Sequence, residues 1–374
     1  MFGGASPEFD VSVVSAQQAM DAADPEKYEV VPVLADFENR LFTGPLLRSV
    51  GRFRPLPPGL EEVAFAWGER GPELRYTAGG KPAIPIDCAV PVFHGRFGED
   101  GRIQAMLELV GVPFTGFAAV DSGVAMRKDY TKLVVADAGV PVLPHVLISR
   151  RDLAEPEVLL KKIGNRLPAI IKPASLGSSI GVGVAQNAAE VMDVARFVLL
   201  KDSYAMIEPR VPNLVEYNIA VRSVGDEIKV SAIERPKPST ELLDFKEKYL
   251  SGGGGAKGSN LPSQGMLSLT REINPPLAPE MLGRIHDYAR RAFAALGRRG
   301  APRMDFLCDS KTGELWFNEI NPIPGSYGFF LWEQAPVDPL LYPELLDHLI
   351  SEALATNLKA FDDPVPQDAY LLPR

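Results

Sequence analysis

The chain has 374 residues, 46% of them hydrophobic and 23% charged, a globular composition that excludes wholesale disorder, a collagen helix and an extended coiled coil. Its length suits two or three domains rather than one small one, enough to bury cores without disulfide staples. With 39 Lys and Arg against 48 Asp and Glu the formal net charge is −9, which repels nucleic-acid backbones at long range but leaves room for a small phosphate ligand held by a few lysines and a metal ion.

In chain order, Gly3-Gly4-Ala5-Ser6-Pro7-Glu8 precedes a helical segment, Ser12–Ala22, so Glu8 lies by a helix N-terminus where it can either cap the helix or meet a ligand. The apolar runs Glu29–Asp36 and Asp87–Gly95 read as buried strands. Ile103, Met106, Leu107 and Val110 share a helical face before Gly111, and this alternation is α/β. A helix over Ser122–Asp137, with Ser122 as N-cap and Gly139 as stop before Pro141, opens a new domain. Beyond it come a strand at Pro168–Pro173, a glycine and serine loop at Leu176–Gly183, a helix at Asn187–Leu200 capped by Asn187, and a strand at Tyr204–Glu208. Tyr217–Ser223 and Ile228–Glu234 form a hairpin, and the character becomes α+β.

Leu250–Gln264, with Gly252–Gly255, has too few apolar side chains to anchor in a core and reads as a mobile loop. Its GxGxxG at Gly253, Gly255 and Gly258 lacks the preceding strand and following helix of a dinucleotide site. After a helix at Pro279–Leu296, Arg303–Cys308 and Glu314–Glu319 make a second hairpin, and the chain past Phe361 reads as a surface tail. Cys88 and Cys308 form no CxxC pair. No basic segment followed by an apolar run opens the chain, and no apolar run reaches the roughly 18–20 residues of a membrane span, so a soluble cytoplasmic protein is expected.

The last hairpin concentrates the chemistry. If Cys308 pairs with Glu314, Asp305 faces Phe317, and Glu319 is its diagonal neighbour on one face. Two carboxylates among Met304, Phe306, Leu315, Trp316 and Phe317 demand a cation, and Asn321 adds a neutral oxygen. An all-oxygen set suits Mg²⁺, although a solvated hairpin would show the same pattern. Lys172, on a buried strand, demands an anion. The loop Gly177, Ser178, Ser179, Gly181, Gly183 offers phosphate donors, without any GxxxxGK[ST].

A rival reading takes Gly177-Ser178-Ser179-Ile180-Gly181 as GxSxG, the nucleophile elbow of a serine hydrolase, with His286 or His348 as base. The elbow needs a helix straight after its serine, whereas Ile180–Ala185 alternates like a strand. His94 opens His94-Gly95-Arg96-Phe97-Gly98-Glu99-Asp100-Gly101 at a strand end, where α/β sheets line ligand crevices. His145, His286 and His348 read as surface or helix-face residues.

Taken in order, Gly3–Glu8 with Val11-Ser12, the His94–Gly101 turn, Met126-Arg127-Lys128 with Thr131-Lys132, Lys172–Gly181, Lys248-Tyr249, and Arg303–Asn321 with Pro324-Gly325 resemble the D-alanine–D-alanine ligase family of ATP-grasp enzymes, from Gly3 to about Ala335. The resemblance implies an N-terminal Rossmann-like domain over 1–120, a central ATP-grasp subdomain over 121–207, and a C-terminal one over 208–374 with a mobile loop at about 244–264. ATP would phosphorylate the carboxylate of a first D-alanine and the amine of a second would attack the acylphosphate, as in peptidoglycan precursor synthesis. Asp305, Glu319 and Asn321 would bind Mg²⁺ or Mn²⁺. Lys128, Lys172, Ser178, Ser179 and Lys248 would meet the ATP phosphates, and Glu208 and Glu216 the adenine and ribose. Glu8 would hold the first substrate's ammonium group, with His94 near its carboxyl. Arg303 and the Gly325 amide would stabilise the oxyanion, while Lys248 and Tyr249 close over the site. The partners implied are amino acids and ATP, with neither nucleic acid nor membrane, and the working form a homodimer.

Departures bear on the second substrate. Phe330 stands where the family pattern has a serine for the second amino acid's carboxylate, so either Ser326 or Tyr327 substitutes as donor or the pocket takes a larger amino acid or another amine. Gly252–Gly255 and Lys257 loosen the closing loop. The short apolar strand that the family has before the Gly-Gly turn is expected to be absent. Beside the leading activity stand a ligase for a different pair in specialised metabolism, a nucleotide-binding protein without catalysis, and the hydrolase.

Overall fold

Three β-sheets follow one another along the chain in a computed structural model that describes residues 1–49, 53, 55–69, 71–237 and 271–356. The first has the order β1 (Phe2–Gly3), β2 (Val33–Ala35), β3 (Leu41–Thr43), β4 (Glu61–Gly68), β5 (Gly71–Tyr76) and β6 (Ile84–Pro85). β1 and β2 are parallel and joined by helix α1 (Phe9–Ala22), a βαβ unit, and the remaining pairs are antiparallel. The strand expected to be missing before the Gly-Gly turn is therefore present as two residues, with Phe2 buried.

The run Asp87–Gly95 is not the regular strand that its apolar character suggests. Val92 N–H donates to the Met1 carbonyl at 2.8 Å and the Met1 ammonium to that of Val90 at 2.9 Å, a parallel pattern. On its other side only the bridge Ala89–Phe114 forms, with Thr115 N–H donating to the Ala89 carbonyl. The next bond would need an N–H at residue 91, and Pro91 has none, so the ladder stops.

Helix α2 (Arg102–Val110) ends at Gly111 in the left-handed conformation, as its sequence indicates. The single helix expected over Ser122–Asp137 is two: α3 (Ala119–Met126) and α4 (Lys128–Asp137), broken at Arg127, whose φ is −92° and ψ 99°. Thr131 Oγ1 lies at the end of α3 within hydrogen-bonding distance of the carbonyls of Val124 (2.6 Å), Ala125 (3.2 Å) and Arg127 (3.0 Å), and its one hydrogen is nearest Val124. The Arg127 guanidinium bonds Asp129 and lies over the rings of Tyr130 and Tyr204. Ser122 is not the cap but an interior residue of α3, while Gly139, at φ +72°, does end α4.

The second sheet, β7 (Val146–Ser149), β10 (Tyr204–Pro209), β8 (Ala169–Pro173) and β9 (Gly183–Ala185), is antiparallel throughout. Helices α5 (Pro156–Ile163) and α6 (Ala188–Leu199) share its core, and Asn187 caps α6 by accepting from the amides of Ala189 and Glu190. The third sheet, β13 (Arg271–Ile273), β12 (Glu227–Pro236), β11 (Leu214–Val224), β14 (Arg303–Asp309) and β15 (Leu315–Asn321), is antiparallel too. Its apolar face packs on α3, α4 and α7 (Pro279–Ala295). Helices α8 (Phe329–Glu333) and α9 (Tyr342–Ala355) share a core with β1 and α1, so the two ends of the described chain meet. Among the described residues no helix is long and apolar enough to cross a membrane.

Candidate active site

On β14 and β15, Met304, Phe306, Cys308, Leu315, Phe317 and Ile320 turn into the core, which leaves Arg303, Asp305, Glu319 and Asn321 on the opposite face. The register is not the expected one. Cys308 pairs with Leu315 and Phe306 with Phe317, and a bulge then lets Asp305 pair directly with Glu319 rather than diagonally. The bulge places Asn318 and Glu319 in succession between the two core residues Phe317 and Ile320. The same row continues across β11 and β12 as Asn218 and Glu234, a polar line four strands and about 14 Å wide.

Each carboxylate in the row has a cation. Arg303 Nε and Nη2 grip the two Asp305 oxygens at 2.7 and 2.8 Å, Lys128 Nζ lies 3.0 Å from Glu319 Oε2, and Arg271 Nη1 lies 3.2 Å from Glu234 Oε1. Burial raises the Asp305 carboxyl above its ordinary range against the pull of Arg303, whereas at Glu319 burial is outweighed by Lys128 and Lys172 and the group is held below it. Asn321 Nδ2 donates to Asp305 Oδ2 at 3.3 Å. Among the described residues no three His, Cys, Asp or Glu side chains gather as an all-protein metal cage. Asp305, Glu319 and the Asn321 amide form instead a set of hard oxygen donors on one face, which fits an ion that completes its shell with phosphate and water.

Beside this row lies a buried charge cluster. Glu208 is gripped by Lys172, at 2.7 Å, and by the fully buried Lys132; Lys172 also donates to Asn318 Oδ1 at 2.8 Å. Burial alone would raise Glu208, but Lys172 and Lys132 draw it down to about 2, and burial lowers Lys132 to about 8. The carboxylate expected beside adenine is thus engaged with two lysines, and it fixes the one expected beside phosphate. Glu216 is exposed on β11, where strand alternation puts it on the face of Asn218 and Asp305.

The glycine and serine loop closes the cleft from the second sheet. Ser178 and Ser179 adopt φ of +52° and +58°; Ser179 is exposed, and the Ser178 hydroxyl donates to Glu8 Oε1 across 170 positions of sequence. Glu8 is the N-cap residue of α1 yet makes no side-chain capping bond, and its carboxylate turns to Ser178 instead. Burial raises it above the ordinary range. Gly95, at φ +78°, has room for nothing larger, because a Cβ there would lie 2.5 Å from Ser6 Oγ and 2.6 Å from Glu8 Oε2. The Gly95 N–H donates to Glu99 Oε2 at 2.5 Å, and Glu99 lines a small cavity with Lys128, Gly177, Glu319 and Asn321. Burial and the Glu8 charge push Glu99 well above the carboxylate range. Sequence reasoning passed over Glu99 and Asn318 as site residues; the first lay inside the His94–Gly101 motif, while only the bulge reveals the second.

His94 is buried, 3.1 Å from Ser15 Oγ, and burial lowers it to about 4, so it is neutral. Ser15 Oγ also accepts from the Ser326 amide at 3.2 Å, next to Gly325, where the chain turns with Ser326 and Tyr327 in the left-handed region. Neither expected substitute donor is available: the Ser326 hydroxyl bonds Gln18, and the buried Tyr327 hydroxyl is 2.6 Å from the Pro91 carbonyl and 2.9 Å from Thr115 Oγ1. Phe330 lies under the Arg271 guanidinium, 4.8 Å from its ring centre. Lys248 and Tyr249, with the glycine tract, lie outside the described residues. The hydrolase elbow lacks its helix, since strand β9 follows Ser179.

The chain is similar to known proteins over most of its length. Residues 1–117 match the family profile "D-ala D-ala ligase N-terminus" and residues 134–351 "D-ala D-ala ligase C-terminus". A D-alanine–D-alanine ligase of Methylobacterium sp. (strain 4-46) is 32% identical over 380 residues, covering 96% of this chain and 92% of the relative. One from Chlorobium phaeovibrioides is 32% identical over 371, covering 95% and 96%. Among solved structures, the D-alanine-D-alanine ligase of Coxiella burnetii superposes with a TM-score of 0.78 at 25% identity, over 94% of this chain and 92% of the other. The VanG D-Ala:D-Ser ligase of Enterococcus faecalis does so with 0.74 at 25%, over 94% and 97%. With its ATP-grasp sheets, its lysine and carboxylate cleft and both halves of the profile matched, the chain belongs to the D-alanine–D-alanine ligase family.

Proposed function

We propose that the protein joins two D-alanine molecules in an ATP-dependent, ADP-forming reaction that supplies peptidoglycan synthesis, acting in the cytoplasm and, as the resemblance implies, as a homodimer. The observation that carries this reading is one cleft in which Asp305, Glu319 and Asn321 face Lys128 and Lys172 while Glu8 and Ser178 close the opposite side. Lys128 and Lys172 orient the ATP phosphates, and Glu8 takes the ammonium group of the first D-alanine. The carboxylate oxygen of that D-alanine attacks the γ-phosphorus, ADP leaves, and an acylphosphate forms. The amine of the second D-alanine then attacks the acyl carbon, Arg303 and the Gly325 amide stabilise the oxyanion, and phosphate departs. Asp305, Glu319 and Asn321 would hold Mg²⁺, which when bound neutralises phosphate charge.

A second reading, ligation of D-alanine to a different amino acid or amine, is favoured by one observation: Phe330 offers a ring and not a hydroxyl, and Ser326 and Tyr327 are committed elsewhere. Both readings are tested by ADP and phosphate release with ATP, Mg²⁺ and paired D- and L-amino acids. D-alanine alone should support release under the first reading and a mixed pair under the second. Nucleotide binding with no release for any pair would overturn both.

A further inference from the structure

A cavity of about 620 Å³ shares no residue with the cleft above. Its wall includes Arg96 from the loop after His94, Arg150 and Arg151 from the end of β7, and Lys201, Asp202 and Tyr204 from the turn between α6 and β10. Four cations thus face one carboxylate, and that carboxylate is already spent. Asp202 Oδ1 accepts from Arg96 Nη2 at 3.1 Å and from the Ser203 amide at 2.7 Å, and Oδ2 accepts from the Ser175 amide at 2.7 Å. Arg150 is held by its Nε and Nη2, both donating to the Leu199 carbonyl. Arg151 and Lys201 make no ion pair among the described residues.

We propose that this cavity binds a small, multiply charged anion bearing phosphate groups, separate from the ATP cleft, and that Asp202 relays its occupancy to the glycine and serine loop. A concave wall with excess positive charge focuses potential on an anion, and guanidinium forks match phosphate oxygens. An anion that engages Arg96 competes with Asp202, whose other oxygen fixes the Ser175 amide two residues before Gly177. The coupling is reciprocal, so occupancy changes the affinity of the cleft for ATP. Binding stands independently of the ligase reading; only the coupling rests on it.

Inorganic pyrophosphate is the probe, titrated by calorimetry into the full chain at physiological salt. Wild type should bind one equivalent with a submillimolar Kd, the double variant Arg151→Glu/Lys201→Glu at least tenfold more weakly, and the cleft variant Lys172→Ala within twofold of wild type. Both altered residues are exposed, so the double variant should melt with wild type, and Arg151→Gln/Lys201→Gln replaces it if it does not. No saturable binding, an unchanged Kd in the double variant, or loss of binding in Lys172→Ala would overturn the site. In the ADP-release assay pyrophosphate should shift the KM for ATP at least twofold in wild type and not in the double variant, whose basal kinetics stay within twofold. An equal shift in both overturns the coupling.

Discussion

Asp305 and Glu319 are opposite residues on neighbouring strands, yet their surroundings drive them apart: burial dominates at the first and two lysines at the second. Glu319 therefore carries negative charge at neutral pH within reach of Lys128. Glu319→Gln removes that charge while keeping the shape, and it should lower kcat by about 10²–10³-fold in the ADP-release assay, while the protein still unfolds cooperatively with a melting point lowered by loss of the Lys128 pair. His94 gives a pH signature. Its value of about 4 lies below the ordinary 6.5, so the stability it contributes is present above pH 6.5 and is lost as pH falls through 4. Urea unfolding between pH 6.5 and 5 should cost wild type up to about 2 kcal/mol more than His94→Gln; parallel losses would show that His94 protonates freely when folded. At this scale residue types were legible and partners were not. That Lys172 needs an anionic partner followed from a cation on an apolar strand, but nothing in spacing told that Glu208 would sit between Lys172 and Lys132.

Among the elements, those with caps or clear periodicity were read well: α6 with its Asn187 cap, α2 with Gly111, and the β11–β12 hairpin of the third sheet. The misread ones share a cause, a single residue that redirects hydrogen bonds without disturbing the apolar pattern. Thr131 takes up a carbonyl at the end of α3, Pro91 withholds the amide that would extend a strand, and Asn318 adds one residue to β15. The bulge yields a specific expectation. Deleting Asn318 leaves Phe317 in the core, Glu319 opposite Asp305 and Ile320 in the core, so alternation survives while Lys172 loses its 2.8 Å contact. The deletion should fold and raise the KM for ATP several-fold with little change in kcat. A protein that no longer folds would show that the bulge is required by the sheet itself.

Across the whole molecule, the cleft is assembled from parts far apart in sequence. Tyr327 is fully buried, and its hydroxyl ties the turn after β15 to Pro91 and Thr115 in the N-terminal part, while α1, α8 and α9 share one apolar core. Tyr327→Phe strips that hydroxyl and leaves the ring, so it should destabilise the fold by about 1–2 kcal/mol in urea unfolding while keeping the KM for ATP; an unchanged midpoint would mean that the two parts do not depend on this contact. What the amino-acid order determined by itself was local and chemical: the α/β then α+β succession, the hairpins, and an ordered set of lysines, glycines and carboxylates suited to phosphoryl transfer. Those features follow from periodicity and residue type, which act over a few positions. Only the tertiary structure decided that Ser178 bonds Glu8, that Lys172 meets Asn318, and that Tyr327 and Ser326 are unavailable to a substrate. Each of those outcomes is a choice among buried donors and acceptors that packing brings together from distant parts of the chain, and a buried polar group bonds the partner that packing delivers.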